Sequence, residues 1–182
     1  MILFFGPPGS GKSVQGQLLV ERNGWQWLST GDLFRKSKDP EVLKRMATGE
    51  LIDDELTGKV LDAAIESVEG DSPIVLDGYP RNLNQVRWLD DNLPAKGRDI
   101  ECVVLFDVPR EELINRLAGR GRIEDSPEAI SRRFDIYKEK TKPVVDHYRE
   151  TGVPVFSIDG AGPIPEVHER IQEAVISCLR RR

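Results

Sequence analysis

The stretch Gly6-Pro7-Pro8-Gly9-Ser10-Gly11-Lys12-Ser13 stands behind the apolar run Ile2-Leu3-Phe4-Phe5 and ahead of a helical pattern, and no other segment restricts the fold as much. Glycines let successive backbone N–H groups converge on phosphate oxygens, a lysine reaches the outer phosphates, and a serine hydroxyl can ligate Mg²⁺. A helix opening directly behind such a loop turns its positive end to the same anion. The segment therefore reads as a phosphate-binding loop set between a strand and a helix.

A chain of 182 residues, 38% of them hydrophobic, is long enough for one domain spanning 1–182. The net charge of -5 argues against nucleic-acid or acidic-membrane partners, so phosphates must be met by local groups of arginine and lysine. Cys102 and Cys178 lack the spacing of a zinc site or a disulfide framework and read as buried thiols. No apolar run reaches the length of a membrane span, and Ile2 to Phe5 is needed as a strand, so the expectation is a soluble cytoplasmic protein.

Hydrophobic periodicity predicts strands at Ile2–Phe5, Trp25–Leu28, Ile74–Asp77, Cys102–Phe106 and Val153–Ile158, alternating with helices. That alternation specifies a doubly wound α/β fold with a five-stranded parallel sheet and helices on both faces. Asp77 closes a buried strand at its carboxyl end, where such sheets place their ligands. Apolar faces are expected from Leu56, Val60, Leu61, Ala64, Ile65 and Val68, from Leu83, Val86 and Leu89, and from Leu113, Ile114 and Leu117. Pro109 suits the first turn of one helix, and Ser126-Pro127 opens a long helix through Val144 that Pro143 bends. His147, His168, Trp25, Trp27 and Trp88 read as packing or surface residues, and Arg180 to Arg182 as a solvated helix end.

Many protein classes use such a loop, and the arginines discriminate among them. Arg35, Arg81, Arg116, Arg120, Arg122 and Arg133 all fall near predicted loops or helix ends of an acidic chain. Together with the loop they suit transfer of a phosphoryl group, where several phosphate charges must be neutralised.

From Met1 to about Val167 the chain resembles the adenylate kinases and related nucleoside monophosphate kinases. The matching segments are the loop to Lys12, Ser29-Thr-Gly-Asp-Leu-Phe-Arg35, Gly49-Glu-Leu-Ile-Asp-Asp-Glu-Leu56, Leu76-Asp-Gly-Tyr-Pro-Arg81, and Arg116 through Arg133. The resemblance implies a phosphate-loop NTPase fold with a small helical monophosphate-binding subdomain, residues 30–67, and a minimal lid loop, residues 119–125. It implies that ATP lies on Gly9, Ser10, Gly11, Lys12, Ser13, Val14, Arg116, Arg120 and the Asp159-Gly160 to Gly162 segment. AMP would be held by Thr30, Gly31, Arg35, Glu50, Leu51, Ile52, Gly78, Tyr79, Pro80, Arg81, Gln85, Arg122 and Arg133. Lys12, Arg81, Arg120, Arg122 and Arg133 would act on the transferring group, and Glu124 and Asp125 would help the lid close. Mg²⁺ would be held by Ser13 and, through water, by Asp77, with no zinc; a monomer is expected.

Three departures bear on this. Ser13-Val14 replaces the family's Gly-Thr after the lysine. Only Gly121 separates Arg120 from Arg122, where many bacterial relatives insert a long lid. Asn82 follows Arg81, as in UMP/CMP kinases, whereas Thr30 and Gln85 match the adenylate kinases. The expected reaction is transfer from ATP to AMP; transfer to UMP or CMP, and a non-catalytic nucleotide-binding switch, are the alternatives. Glu50 stands where basic or neutral residues are usual, and nothing in the sequence explains it.

Overall fold

The computed structural model describes residues 1–180; the predicted solvated end at Arg181 and Arg182 lies outside the described residues. Five parallel strands, β1 (Ile2–Phe5), β2 (Gln26–Ser29), β3 (Ile74–Asp77), β4 (Cys102–Asp107) and β5 (Val155–Asp159), stand in the order β2-β3-β1-β4-β5. The α/β architecture is as expected. Three strands depart from their predicted bounds: β2 starts one residue later than Trp25 and runs to Ser29, β4 extends one residue to Asp107, and β5 runs from Val155 to Asp159.

Successive side chains of a strand point to opposite faces, and β1 shows the consequence. Leu3 and Phe5 join a core on one face with Leu76 and Val103, covered by Leu61 and Ile65 of α4 (Asp54–Glu66), Val86 and Leu89 of α5 (Leu83–Asn92), and Val144, Val145 and Tyr148 of α8 (Lys142–Glu150). Ile2 and Phe4 enter the opposite core with Val75, Val104 and Phe106, under Leu19 of α1 (Lys12–Asn23) and Val167, Ile171 and Val175 of α9 (Ile164–Leu179). Burial of these side chains, worth about 1.5–3 kcal/mol each, drives the layering. Trp25 and Trp27 pack against the second core and Trp88 against the first; His168, Cys102 and Cys178 are buried.

Two satellite clusters frame the carboxyl edge of the sheet. Phe34 of α2 (Thr30–Arg35), Val42 of α3 (Pro40–Ala47) and Ile52 form one, joined by Met46 and Val60. Leu113 and Leu117 of α6 (Arg110–Ala118) and Phe134 of α7 (Pro127–Ile136) form the other, with Val108.

Several expectations need correction. Leu56, Leu83 and Ile114 are exposed; helical spacing places them beside the covered stripe, whose inward positions on α4 go to Thr57, Gly58, Leu61 and Ile65. Pro109 is the residue before α6 and not part of its first turn. The long helix expected from Ser126-Pro127 through Val144 is present and continues to Glu150, with its middle widened into a π-helical turn at Tyr137–Thr141, two residues before Pro143. A proline has no N–H to give and its ring crowds the preceding turn, and widening that turn accommodates it.

Candidate active site

Strand register brings the site together. Asp77 of β3 stands beside Phe4 of β1 and Ser29 of β2, so the loops after all three strands leave the same edge of the sheet. The cleft there has two lobes, and Gly31, Arg35, Gly78, Arg81 and Arg133 line both.

The first lobe is built on the Gly-rich loop. α1 starts at Lys12 behind Gly11, with no side chain capping its first turn and no acidic residue in it, so its leading N–H groups remain available to an anion. Gly9 has φ +85°, and a Cβ there would lie 2.9 Å from the Leu113 carbonyl oxygen, so only glycine fits against α6. Buried Gln15 donates from Nε2 to the Ile164 carbonyl at 2.9 Å and fixes α1 to α9. Lys12 Nζ donates to the Gly6 and Pro7 carbonyls at 2.8 and 3.0 Å and to Ser10 Oγ at 3.2 Å. Burial lowers its pKa to about 8; Asp77 opposes that fall, and Arg81, Arg133 and Arg120 add to it.

Two oxygens face this lobe with little to hold them. Ser13 Oγ is 3.5 Å from Asp77 Oδ2, and Asp77 Oδ1 is buried with no hydrogen-bond partner. A hard divalent cation that keeps several waters takes such oxygens, so this pair fits Mg²⁺. Among the described residues no cluster of three or more His, Cys, Asp or Glu is placed to hold a metal.

Arginines converge from the other side. Arg116 of α6 donates from Nε to Glu112 at 2.9 Å and from a terminal nitrogen to the Gly160 carbonyl at 3.1 Å, spanning to the segment after β5. The short loop 119–125 is folded by Asp125, which pairs with the Arg120 guanidinium and accepts the Arg122 N–H at 3.0 Å. Glu124, buried, accepts from Arg35 at 2.8 Å, and Arg133 donates to its carbonyl at 3.3 Å. The pKa of Arg133 is lowered to about 10 and those of Arg81 and Arg122 are lowered too, mainly by burial, with neighbouring arginines contributing. Arginine stays protonated through such shifts, so the cleft is a buried concentration of positive charge.

The second lobe lies under α2, α4 and the Gly49–Ile52 loop. Thr30, Gly31, Glu50, Leu51, Ile52 and Gln85 line it. Arg81 donates from Nε to the Gly78 carbonyl at 2.9 Å, and the Tyr79–Pro80 peptide is cis. Gly78 has φ +84°, and a Cβ would meet Thr30 Oγ1 at 2.6 Å. Glu50 pairs with Arg132 of α7 at 2.5 Å, which supplies the partner that the sequence did not reveal. Asn82 caps α5, accepting the Gln85 N–H at 3.0 Å, and its amide donates to Asp54; it lines neither lobe.

Of the residues expected in the site, Gly9, Ser10, Gly11, Lys12, Ser13, Val14, Arg116, Arg120, Arg122, Tyr79 and Pro80 line the first lobe. Gly162 is not brought in: it lines neither lobe, and Gly160 supplies the contact to Arg116 instead. Sequence reasoning missed Tyr137 and Thr141 on the first lobe and Phe34, Met46 and Thr57 on the second. Pro143 was the available signal for the first pair, since the π turn that aims them precedes it.

The family model described as adenylate kinase matches residues 4–153. The chain is 36% identical over 180 residues to an adenylate kinase of Mycolicibacterium vanbaalenii, an alignment covering 96% of this chain and 98% of that protein. It is 38% identical to adenylate kinases of Prochlorococcus marinus and Micrococcus luteus, covering 96% and 97% of this chain and 97% and 90% of theirs.

Proposed function

The chain belongs to the adenylate kinase family, and from that premise we infer how its cleft carries out the reaction. The protein is a phosphotransferase that converts ATP and AMP into two ADP. The observation that carries our assignment of the lobes is their junction: Arg35, Arg81 and Arg133 line both, between a phosphate loop on one side and a pocket lined by Thr30, Ile52 and Gln85 on the other.

ATP lies in the first lobe with its β- and γ-phosphates on the Gly9 to Ser13 amides and Lys12, and its base against Arg116. AMP lies in the second lobe, its phosphate on Arg35 and Arg81 and its base beside Gln85 and the Gly49–Ile52 loop. An AMP phosphate oxygen attacks the γ-phosphorus as the bond from that phosphorus to the β-bridging oxygen breaks, and ADP leaves. The attacking oxygen is already anionic, so no general base is required. Arg120, Arg122 and Arg133 follow the moving charge with planar donor forks that stay protonated in a closed site. Positioning and neutralisation carry the rate.

Ser13 and Asp77, the latter through water, would hold Mg²⁺. When bound, Mg²⁺ neutralises phosphate charge and orients the β- and γ-oxygens. We further propose that residues 30–67 move as the monophosphate-binding subdomain, that 119–125 serves as a minimal lid, and that the protein works as a cytoplasmic monomer. Among the described residues no helix is long and apolar enough to cross a membrane.

Asn82, the one feature favouring UMP or CMP, caps α5 and lines neither lobe, so it has no direct contact with an acceptor base there. The test is a coupled ADP assay with ATP·Mg²⁺ against AMP, UMP, CMP and GMP. AMP is expected to be the preferred acceptor, and a preference for UMP or CMP would overturn the assignment.

A further inference from the structure

Gln85 is oriented before any base arrives. The residue is only 3% exposed, yet it lines the second lobe. Oε1 accepts the Arg81 backbone N–H at 2.6 Å, and Nε2 donates to Asp54 Oδ1 at 2.7 Å. The Asp54 carboxylate is itself steadied by Asn82 Nδ2, at 3.0 and 3.2 Å from its two oxygens. Asn82 Oδ1 then accepts the Gln85 N–H and closes the ring of contacts.

This arrangement permits one orientation of the amide. Flipping it would set the NH₂ against the Arg81 N–H and Oε1 against a carboxylate, two repulsions in a buried place. One Nε2 hydrogen and one Oε1 lone pair remain for a ligand. We propose that Asp54, held by Asn82, is a positioning residue for acceptor choice: it locks Gln85 so that the pocket offers a fixed N–H donor to the base. The inference rests on the second lobe being the AMP site.

A fixed donor discriminates by edge chemistry. Adenine has a ring acceptor next to an exocyclic amine, and so does cytosine. Hypoxanthine, guanine and uracil have a ring N–H next to a carbonyl and would face donor with donor. A site whose buried polar group is left unpaired rejects the wrong ligand more strongly than one missing an apolar contact. Among pyrimidine acceptors, CMP is therefore expected ahead of UMP. The lock also spans the fold, since Asp54 opens α4 while Asn82 and Gln85 open α5.

The test compares AMP with IMP, which differ only in that edge, using the wild type, Asp54→Ala and Asp54→Asn. Asp54→Ala is expected to raise KM for AMP about tenfold with kcat at saturating AMP within about twofold and KM for ATP unchanged, the loss of one buried hydrogen bond being worth about that factor. The AMP over IMP preference should fall by a similar factor, because the freed amide can flip. Asp54→Asn, whose amide oxygen still accepts from Nε2, should restore most of the preference. An Ala variant that keeps the wild-type AMP over IMP ratio, or loses both acceptors equally, would show that Asp54 only favours the helix start. Asp54→Ser keeps a polar helix start but is too short to reach Gln85; it carries the same expectation if the Ala variant is unstable. Calorimetric binding of AMP and IMP to the same proteins reads the lock even if the wild type transfers to neither, so failure of the transfer reading is distinguishable from failure of the lock.

Discussion

Arg35 holds the buried carboxylate of Glu124 at 2.8 Å across 89 positions of sequence, tying α2 to the loop that precedes α7. Glu124 also lies 4.0 Å from Arg122, and it raises the depressed pKa values of Arg81, Arg122 and Arg133. With Asp77 and Asp125 it is one of the anions that a group of buried like charges requires while no nucleotide is present.

Glu124→Gln should therefore destabilise the ligand-free protein by about 1.5–3 kcal/mol, the worth of a charge-assisted hydrogen bond, and lower its melting temperature accordingly. Added AMP or inorganic phosphate should raise the melting temperature of the variant more than that of the wild type, because an external anion replaces the lost charge. Equal ligand-induced shifts in the two proteins would mean that Glu124 contributes packing alone.

Arg81 would join base and phosphate recognition in the proposed site: its N–H binds Gln85, its Nε binds the Gly78 carbonyl, and its own carbonyl accepts from Thr141 at 3.2 Å. Lysine would keep the charge and lose the fork. Arg81→Lys is expected to lower kcat/KM for AMP by on the order of a hundredfold, as loss of a donor acting in the transition state does, while the Kd for ATP changes less than about twofold. Steady-state kinetics with equilibrium ATP binding checks both halves; an unchanged rate would remove Arg81 from the site.

The parts of this molecule legible in its sequence are those whose signal is local. The phosphate loop between β1 and α1, Asp77 at a strand end and the helix opened by Ser126-Pro127 each depend on neighbours within a few positions, and each stands as expected. Contacts between distant segments left no such trace. Asp54 reaches Gln85 over 31 positions and Glu50 reaches Arg132 over 82, and no periodicity encodes either. Leu56, Leu83 and Ile114 show a different limit: spacing identifies a face, but which edge of it is covered depends on the neighbouring helix.

Lys12 supplies a pH dependence. Its pKa of about 8 in the ligand-free cleft lies below the ordinary value because burial disfavours the charged form. Below pH 8 the amine is protonated and ATP binding should be linked to no proton at this group. Above pH 8 the free protein has lost that proton, bound phosphates restore it, and affinity should fall by up to about tenfold per pH unit as the proton is taken up. Calorimetry at pH 9 in two buffers of different ionisation enthalpy measures the uptake directly. No uptake at pH 9 would place the free-protein pKa above that pH.

Gly16, on the buried face of α1, packs directly against the Trp27 ring of β2. A Cβ there would lie 1.9 Å from Cζ3 of Trp27, so Gly16→Ala forces the indole to move. Overpacking of this kind costs about 1–3 kcal/mol, against a gain of up to about 1 kcal/mol from alanine's better helix propensity. The displacement reaches the site, because Trp27 Nε1 donates to Asp32 at 3.2 Å and Asp32 pairs with Arg35. Gly16→Ala should lower the melting temperature by a few degrees and raise KM for AMP, with KM for ATP little changed. Trp27→Leu removes the ring that the new methyl meets. In that background Gly16→Ala should be neutral or stabilising, and the sign change between the two backgrounds isolates the overlap from helix propensity. If alanine destabilises both backgrounds equally, the cost arises elsewhere on α1.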